Sequence, residues 1–187
     1  MSVGTCLVGS TTEIWRLMEM ISMYLDGMDA GDDGMDAWVL DIDDTCLSNL
    51  LYYRGKQFGG MLFDTAALKW AAKGMCSAIL PVLDLFNKLI ERGYKVFLLT
   101  GQDDLTFRDI TTANLQDQGY FGYKRLIMRT AEYKGKGAKI FKSAIRKQLI
   151  DKAYRIRDNV GDQWSDLQGD YLADWNFKIP NPMYYVS

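Results

Sequence analysis

Histidine is absent from all 187 residues of the chain. That absence removes Ser-His-Asp and Cys-His nucleophile pairs, phosphohistidine chemistry, and imidazole-ligated zinc or iron. Acid-base work falls to carboxylates, lysine or tyrosine. Cysteine is scarce. Cys6, Cys46 and Cys76 are an odd set without CxxC spacing, so neither a zinc site nor a full disulfide framework is expected. They read as free thiols, and Cys46 has no histidine to activate it. No apolar run approaches bilayer-spanning length, so no membrane role is expected. Positive charge is not in excess: 22 lysines and arginines stand against 24 acids, net −2, which offers nucleic acid no basic surface. The opening residues MSVGTCLVGS lack the basic start and unbroken apolar stretch of a signal peptide. No N-x-S/T sequon is present.

What remains is an ordinary globular composition, 48% hydrophobic and 25% charged, long enough for one domain with a substantial core. Ile14, Leu17, Met18, Ile21 and Leu25 recur at helical spacing. The stretch from Trp38 to Leu40 reads as a buried strand. From Ser48 to about residue 80 the periodicity breaks down. Tyr52, Tyr53, Phe58, Phe63 and Trp70 make this segment a candidate cap insertion. Alternation then resumes. A helix from Pro81 closes at Gly93, Tyr94 to Thr100 is a strand, and Leu105 to Gln118 is a helix. Arg125 to Arg129 is a strand and Lys142 to Lys152 a basic helix. Tyr154 to Val160 and Phe177 to Pro180 are the last strands. Strands alternating with helices imply an α/β fold with a doubly wound, mostly parallel sheet.

Four segments fall where such a sheet places its chemistry, outside the carboxyl ends of the strands. In AWVLDIDDT the apolar run stops at Asp41, and Asp43 lies two residues on. Two carboxylates so close repel unless a cation separates them, and hard oxygen ligands favour magnesium. In LLTGQ, Thr100 offers a hydroxyl and Gly101 close backbone approach, both suited to a phosphate oxygen. Lys142 opens a helix, where dipole and free amides favour an anion; pattern alone does not separate it from Lys139 and Lys147. In GDQWSD, Asp162 follows a strand and Asp166 sits one helical turn on, so both can face one point. Each also has a plain reading, as a helix N-cap or an exposed acid.

In this order the segments resemble the signature of the haloacid dehalogenase-like (HAD) hydrolase superfamily: Asp41-Asp43-Thr45, Thr100, Lys142 and Gly161-Asp162-Asp166. WVLDIDDTCLSN, LFNKLIERGYKVFLLTG, TTANLQDQGY and FKIPNPMYY look like the plant acid phosphatase family, which includes the vegetative storage proteins. The resemblance implies a Rossmann-like phosphatase domain over residues 1–187, with residues 48–80 as a cap between the first and second motifs. It implies a magnesium-dependent acid phosphatase acting on small phosphomonoesters. Asp41 would be the nucleophile that becomes an aspartyl-phosphate, and Asp43 the acid and base. Thr100, Gly101 and Lys142 would bind the phosphoryl group. Asp41, the Asp43 carbonyl, Asp162 and Asp166 would surround the metal. A homodimer fits the family, and so does the alternative role of a storage protein with weak or no activity. Such proteins are usually secreted or vacuolar and begin with a signal peptide, which is not read here. Family phosphatases often carry arginine after the Thr-Gly pair; Gln102 stands in that place, which is expected to weaken binding or turnover.

Overall fold

The computed structural model describes residues 3–55, 61–62, 66 and 73–186. Helix α1 (Val3–Asp26) leads into β1 (Asp36–Asp41). Short elements follow: β2 (Leu47–Ser48), α2 (Leu50–Gly55), β3 (Met61–Leu62) and β4 (Ser77–Ala78). Next come α3 (Leu80–Glu91), β5 (Lys95–Asp103), α4 (Asp104–Asp117), β6 (Arg125–Arg129) and a 3-10 turn at Ala131–Tyr133. The chain ends through α5 (Ala138–Asp151), β7 (Arg155–Gly161), α6 (Trp164–Leu167), β8 (Trp175–Lys178) and β9 (Tyr184–Tyr185). None of the described helices is long and apolar enough to cross a membrane.

Five strands form one sheet in the order β6-β5-β1-β7-β8, with every neighbouring pair parallel. This is the expected doubly wound α/β fold. β1 lies at its centre and is buried over its whole length, which is why its sequence reads as a continuous apolar run. The chain builds β5 and β6 on one side of β1, then crosses to build β7 and β8 on the other. The winding direction therefore reverses between β1 and β7, and a crevice opens there at the strand ends. Asp41 ends β1 and Asp162 follows β7, so the topology delivers both to that crevice.

Alternate side chains of the sheet feed two cores, as period-2 geometry requires. Trp38, Leu40, Val96, Leu98 and Val160 pack under α1, α3 and α4. Val39, Phe97, Leu99 and Ile156 pack under Phe141, Ile145 and Leu149 of α5. Helix α3 shows how the sequence makes such an element. Pro81 occupies its first turn, where a missing N–H costs nothing. Val82, Leu85, Phe86 and Leu89 form its buried stripe, each contributing roughly 1.5–3 kcal/mol by burial. Gly93, at φ +84°, carries the chain out of the helix in the left-handed region.

Element boundaries depart from the sequence reading by more than one residue at three elements that bear on the site or the sheet edge. Helix α5 begins at Ala138, not Lys142. The buried stripe of this helix starts at Phe141, so the helix must already be formed there, and its cap, Gly137, has no side chain to announce it. Strand β5 runs on to Asp103 instead of stopping at Thr100, with a shift in pairing against β6 after Leu99. β8 spans Trp175–Lys178 instead of Phe177 to Pro180: Trp175 and Asn176 already pair with Asp158 and Asn159 of β7, and at the other end Pro180 has no N–H to extend the ladder. Of the candidate cap, Phe58, Phe63 and Trp70 lie outside the described residues. The described part is tied to the end of the chain: β3 pairs with β9, and Tyr53 packs on Met183 and Tyr184.

One core residue carries a consequence for stability. Asp158 on β7 is fully buried and opposes Trp38 on β1. Neither of its carboxylate oxygens accepts a hydrogen bond from a described residue, and the Trp38 indole N–H is likewise unpaired. Burial, reinforced by Asp174 and only partly opposed by Arg157, pushes the Asp158 carboxyl up to about 7. An acid with a raised folded-state value is stabilising while protonated, and that stability is lost as pH rises. The fold should therefore weaken between about pH 4 and 7, with Asp158 contributing at most on the order of 4 kcal/mol. Urea midpoints at pH 5 and pH 8 should differ less in Asp158→Asn than in the parent. An unchanged difference would contradict this account.

Candidate active site

The first motif forms a tight loop whose geometry is fixed by hydrogen bonds. The Ile42 carbonyl accepts from the N–H groups of Thr45, Cys46 and Leu47, at 3.3, 2.9 and 2.9 Å. Asp44 sits at φ +59°, a left-handed conformation that Asp tolerates better than bulkier residues. It is pinned there by the Asn49 N–H at 2.7 Å, the Asn49 amide at 3.1 Å and the Tyr184 hydroxyl at 2.7 Å. With Asp44 turned inward, Asp41 and Asp43 are left on the crevice side.

Asp41, Asp43, Gly101, Lys142, Asp162 and Asp166 all line one cavity of about 150 Å³. Thr100 is buried just behind it. Its hydroxyl donates to Asp43 Oδ2 at 2.7 Å and accepts from the Gln102 N–H at 3.1 Å. The three lysines that pattern could not separate are separated by burial. Lys142 is 4% exposed and donates to Asp41 Oδ1, and to Asp166 Oδ1 at 2.6 Å. Lys147 pairs with Asp151 in solvent, and Lys139 is exposed. Lys142 lies in the second turn of α5, so the helix-start dipole argument does not apply to it. Two carboxylates hold its ammonium instead.

Asp166 is not an exposed acid. It sits at the third position of α6 and accepts from the Gln163 N–H at 2.8 Å, completing a capping box in which Gln163, not Asp162, is the cap. The same carboxylate bonds Lys142 through its other oxygen. It rests directly on Gly161, where a β-carbon would stand 2.5 Å from Asp166 Cβ and 2.6 Å from Oδ2. Only glycine lets the carboxylate approach β7 this closely. Asp162 accepts from Gln163 Nε2 and Asn181 Nδ2, each at 2.6 Å, and from Thr45 Oγ1 at 3.3 Å.

Oxygens of Asp41, Asp162 and Asp166 lie within 4.8 Å of one another, all buried. Burial pushes the Asp41 carboxyl well above the usual range; Lys142 opposes this, while Asp166 and Asp162 add repulsion. Burial and the neighbouring Asp166 and Asp44 raise Asp162 to about 7, against the pull of its amide donors. Burial alone would lower Lys142, yet Asp166 and Asp41 hold it above its ordinary value, so it stays protonated. Three clustered carboxylates with one ammonium leave negative charge uncompensated. An all-oxygen donor set of that charge fits a hard divalent cation.

Several supports of the site were not foreseen. Arg146 is fully buried and donates to the carbonyls of Asp166 at 2.8 Å and Gln168 at 2.7 Å, holding the chain beyond the last motif. Asn159 donates to the same Asp166 carbonyl at 2.8 Å. Asn181, Tyr184 and Val186 arrive from the end of the chain, and Arg129 from β6. The spacing of Arg146 from Phe141, Ile145 and Leu149 places it on the buried face of the helix, beside Lys142 and Ser143, and that was the available sequence signal.

A family model described as HAD superfamily, subfamily IIIB (acid phosphatase) matches residues 7–187. Acid phosphatase 1 of Solanum lycopersicum is 40% identical over 179 residues, which cover 95% of this chain and 70% of that protein. Vegetative storage protein 2 of Arabidopsis thaliana is 35% identical over 167 residues, covering 87% and 61%. The chain thus spans between about three fifths and seven tenths of the length of these relatives. Among solved structures, the class C acid phosphatase from Bacillus anthracis superposes with a TM-score of 0.73 at 19% identity, over 95% of this chain and 80% of that one. At that identity the likeness speaks for the fold.

Proposed function

Because the chain belongs to the acid phosphatase family, subfamily IIIB of the HAD superfamily, we propose that it hydrolyses phosphomonoesters with magnesium through an aspartyl-phosphate on Asp41. The observation that carries this reading is the buried meeting of Asp41, Lys142, Asp162 and Asp166, with Asp43 held beside them.

In the proposed first step an Asp41 oxygen attacks phosphorus in line. The bond from phosphorus to the ester oxygen breaks, its electron pair leaves with the alcohol, and Asp43 supplies the proton. In the second step Asp43 takes a proton from water. The water oxygen then displaces the Asp41 carboxylate and releases phosphate. Lys142 offsets the charge that develops on the phosphoryl oxygens, Gly101 offers backbone at the cavity wall, and Thr100, buried behind it, acts through Asp43 instead of touching the phosphoryl group as the resemblance implied. Asp41, the Asp43 carbonyl, Asp162 and Asp166 would hold magnesium, which would supply positive charge to offset the clustered carboxylates and the phosphoryl group.

Likeness to vegetative storage proteins supports a second reading, a reserve protein with little or no turnover. A reserve has no use for a buried lysine shared by two carboxylates, and that detail favours the enzyme. The test is hydrolysis of nitrophenyl phosphate at acidic pH. EDTA should remove the activity and added magnesium restore it. Full activity after metal stripping would overturn the metal assignment, and no hydrolysis with any divalent metal would favour the storage reading.

A further inference from the structure

Gln102 is a neutral amide in the place where the superfamily resemblance leads one to expect arginine. Its surroundings suggest a use. The side chain is buried, 4% exposed, and both its ends are engaged. Nε2 donates to Asp43 Oδ1 at 2.6 Å. Oε1 accepts from the Thr111 hydroxyl at 2.8 Å. The Gln102 backbone N–H donates to Thr100 Oγ1, which itself donates to Asp43 Oδ2. Asp43, Thr100 and Gln102 therefore form a closed ring of hydrogen bonds, and Thr111 fastens the ring to α4.

We propose that Gln102 and Thr111 are positioning residues that hold the Asp43 carboxyl at a fixed angle to the leaving group. The inference rests on the acid-base role proposed for Asp43. An amide is suited to this task because its two ends differ. The NH₂ end must face Asp43, since a carbonyl oxygen 2.6 Å from a carboxylate oxygen would repel it. That leaves a buried carbonyl at the other end, which needs a donor. Thr111 is that donor. Its neighbour Thr112 makes the ordinary helical choice and donates to the carbonyl four residues back, Arg108, at 2.8 Å. Thr111 is directed instead across to the strand. An arginine at position 102 would bring a charge to this ring; the glutamine brings a neutral donor and a tether.

A group acting through Asp43 has a distinctive signature. Proton transfer matters most for leaving groups that are strong bases, so poor alignment of Asp43 should slow alkyl phosphates more than nitrophenyl phosphate. Gln102→Met keeps the length and removes both polar ends. It should lower kcat/KM for an alkyl phosphate on the order of a hundredfold, and for nitrophenyl phosphate by about fivefold or less. Thr111→Val, nearly isosteric, should show the same selectivity at smaller size, and Thr111→Ser should restore the parent values. Thermal melting establishes that each variant is folded; if Thr111→Val fails to fold, Gln102→Met and Thr111→Ser decide.

Asp43→Asn is run alongside to separate this inference from the reading beneath it. Selective loss in Asp43→Asn with equal loss, or none, for the two substrates in Gln102→Met would overturn the positioning role. Selective loss in Gln102→Met but not in Thr111→Val would overturn the tether. Unselective loss in Asp43→Asn itself would overturn the acid-base role and the inference with it.

Discussion

Asp41→Asn should reduce phosphatase turnover by roughly ten-thousandfold or more while leaving a folded protein. The amide keeps the shape of the carboxylate but cannot form the acyl phosphate. The variant should also be no less stable than the parent in the absence of metal. The reason is the charge count around Lys142. Its ammonium is shared by Asp41 and Asp166, with Asp162 close by. Burial and the nearby Asp166 and Asp162 make a charge at Asp41 unfavourable, so the neutral amide relieves that cost, and Lys142 keeps Asp166 as its partner. By the same logic, the parent should gain more thermal stability from magnesium than the variant does, because a ligand held more tightly by the folded state stabilises it more, with the logarithm of its affinity. Melting curves with and without magnesium, beside a turnover assay, test both statements. Undiminished turnover in a folded Asp41→Asn protein would remove Asp41 from the mechanism. A large loss of stability without metal would mean that the charge balance has been misjudged.

How much of this was legible in the sequence depends on how local each signal is. The central strand was readable because burial on both faces demands an unbroken apolar run, and Ala37 to Leu40 provides one. The alternation of strands and helices then fixed the fold class. The three acids of the buried cluster could be picked out from their positions after strands. Their supports could not. Asn181 and Tyr184 reach the first and last motifs from the end of the chain, and no local spacing relates residue 184 to residue 44. Lys142 stood among similar lysines until burial singled it out. The start of α5 was misplaced because Gly137 caps without a side chain. Gln102 was legible only as a departure from a pattern; that Thr111, nine residues on, tethers it depends on how α4 packs across β5. Asp158 reads as one more polar residue in Arg-Asp-Asn, and only the fold reveals that no described donor meets it.

Lys142→Met should differ from Asp41→Asn in harming both activity and stability. Methionine keeps most of the stem's volume and removes the ammonium. On the activity side, kcat/KM should fall about a hundredfold or more, the size expected for losing a fixed electrostatic donor in a buried site. On the stability side, breaking a buried ion pair by deleting one partner costs roughly 3–5 kcal/mol, because the charges left behind have nothing to face. The Asp41 carboxyl, already raised by burial, then loses the one group that opposed the rise. An acid whose folded-state value is raised is stabilising while protonated, so the deficit should be smallest at low pH and grow as pH increases. Magnesium should recover part of the stability, since it supplies positive charge to the same carboxylates. The neighbouring lysines provide the controls. Lys139 is exposed, and Lys147 makes a solvent-exposed pair with Asp151, of the kind that water and salt screen to little effect. Lys139→Met and Lys147→Met should leave kcat/KM and urea midpoints nearly unchanged. If Lys142→Met matched the parent in rate, or if either control proved essential, the lysine at the heart of the proposed site would be the wrong one.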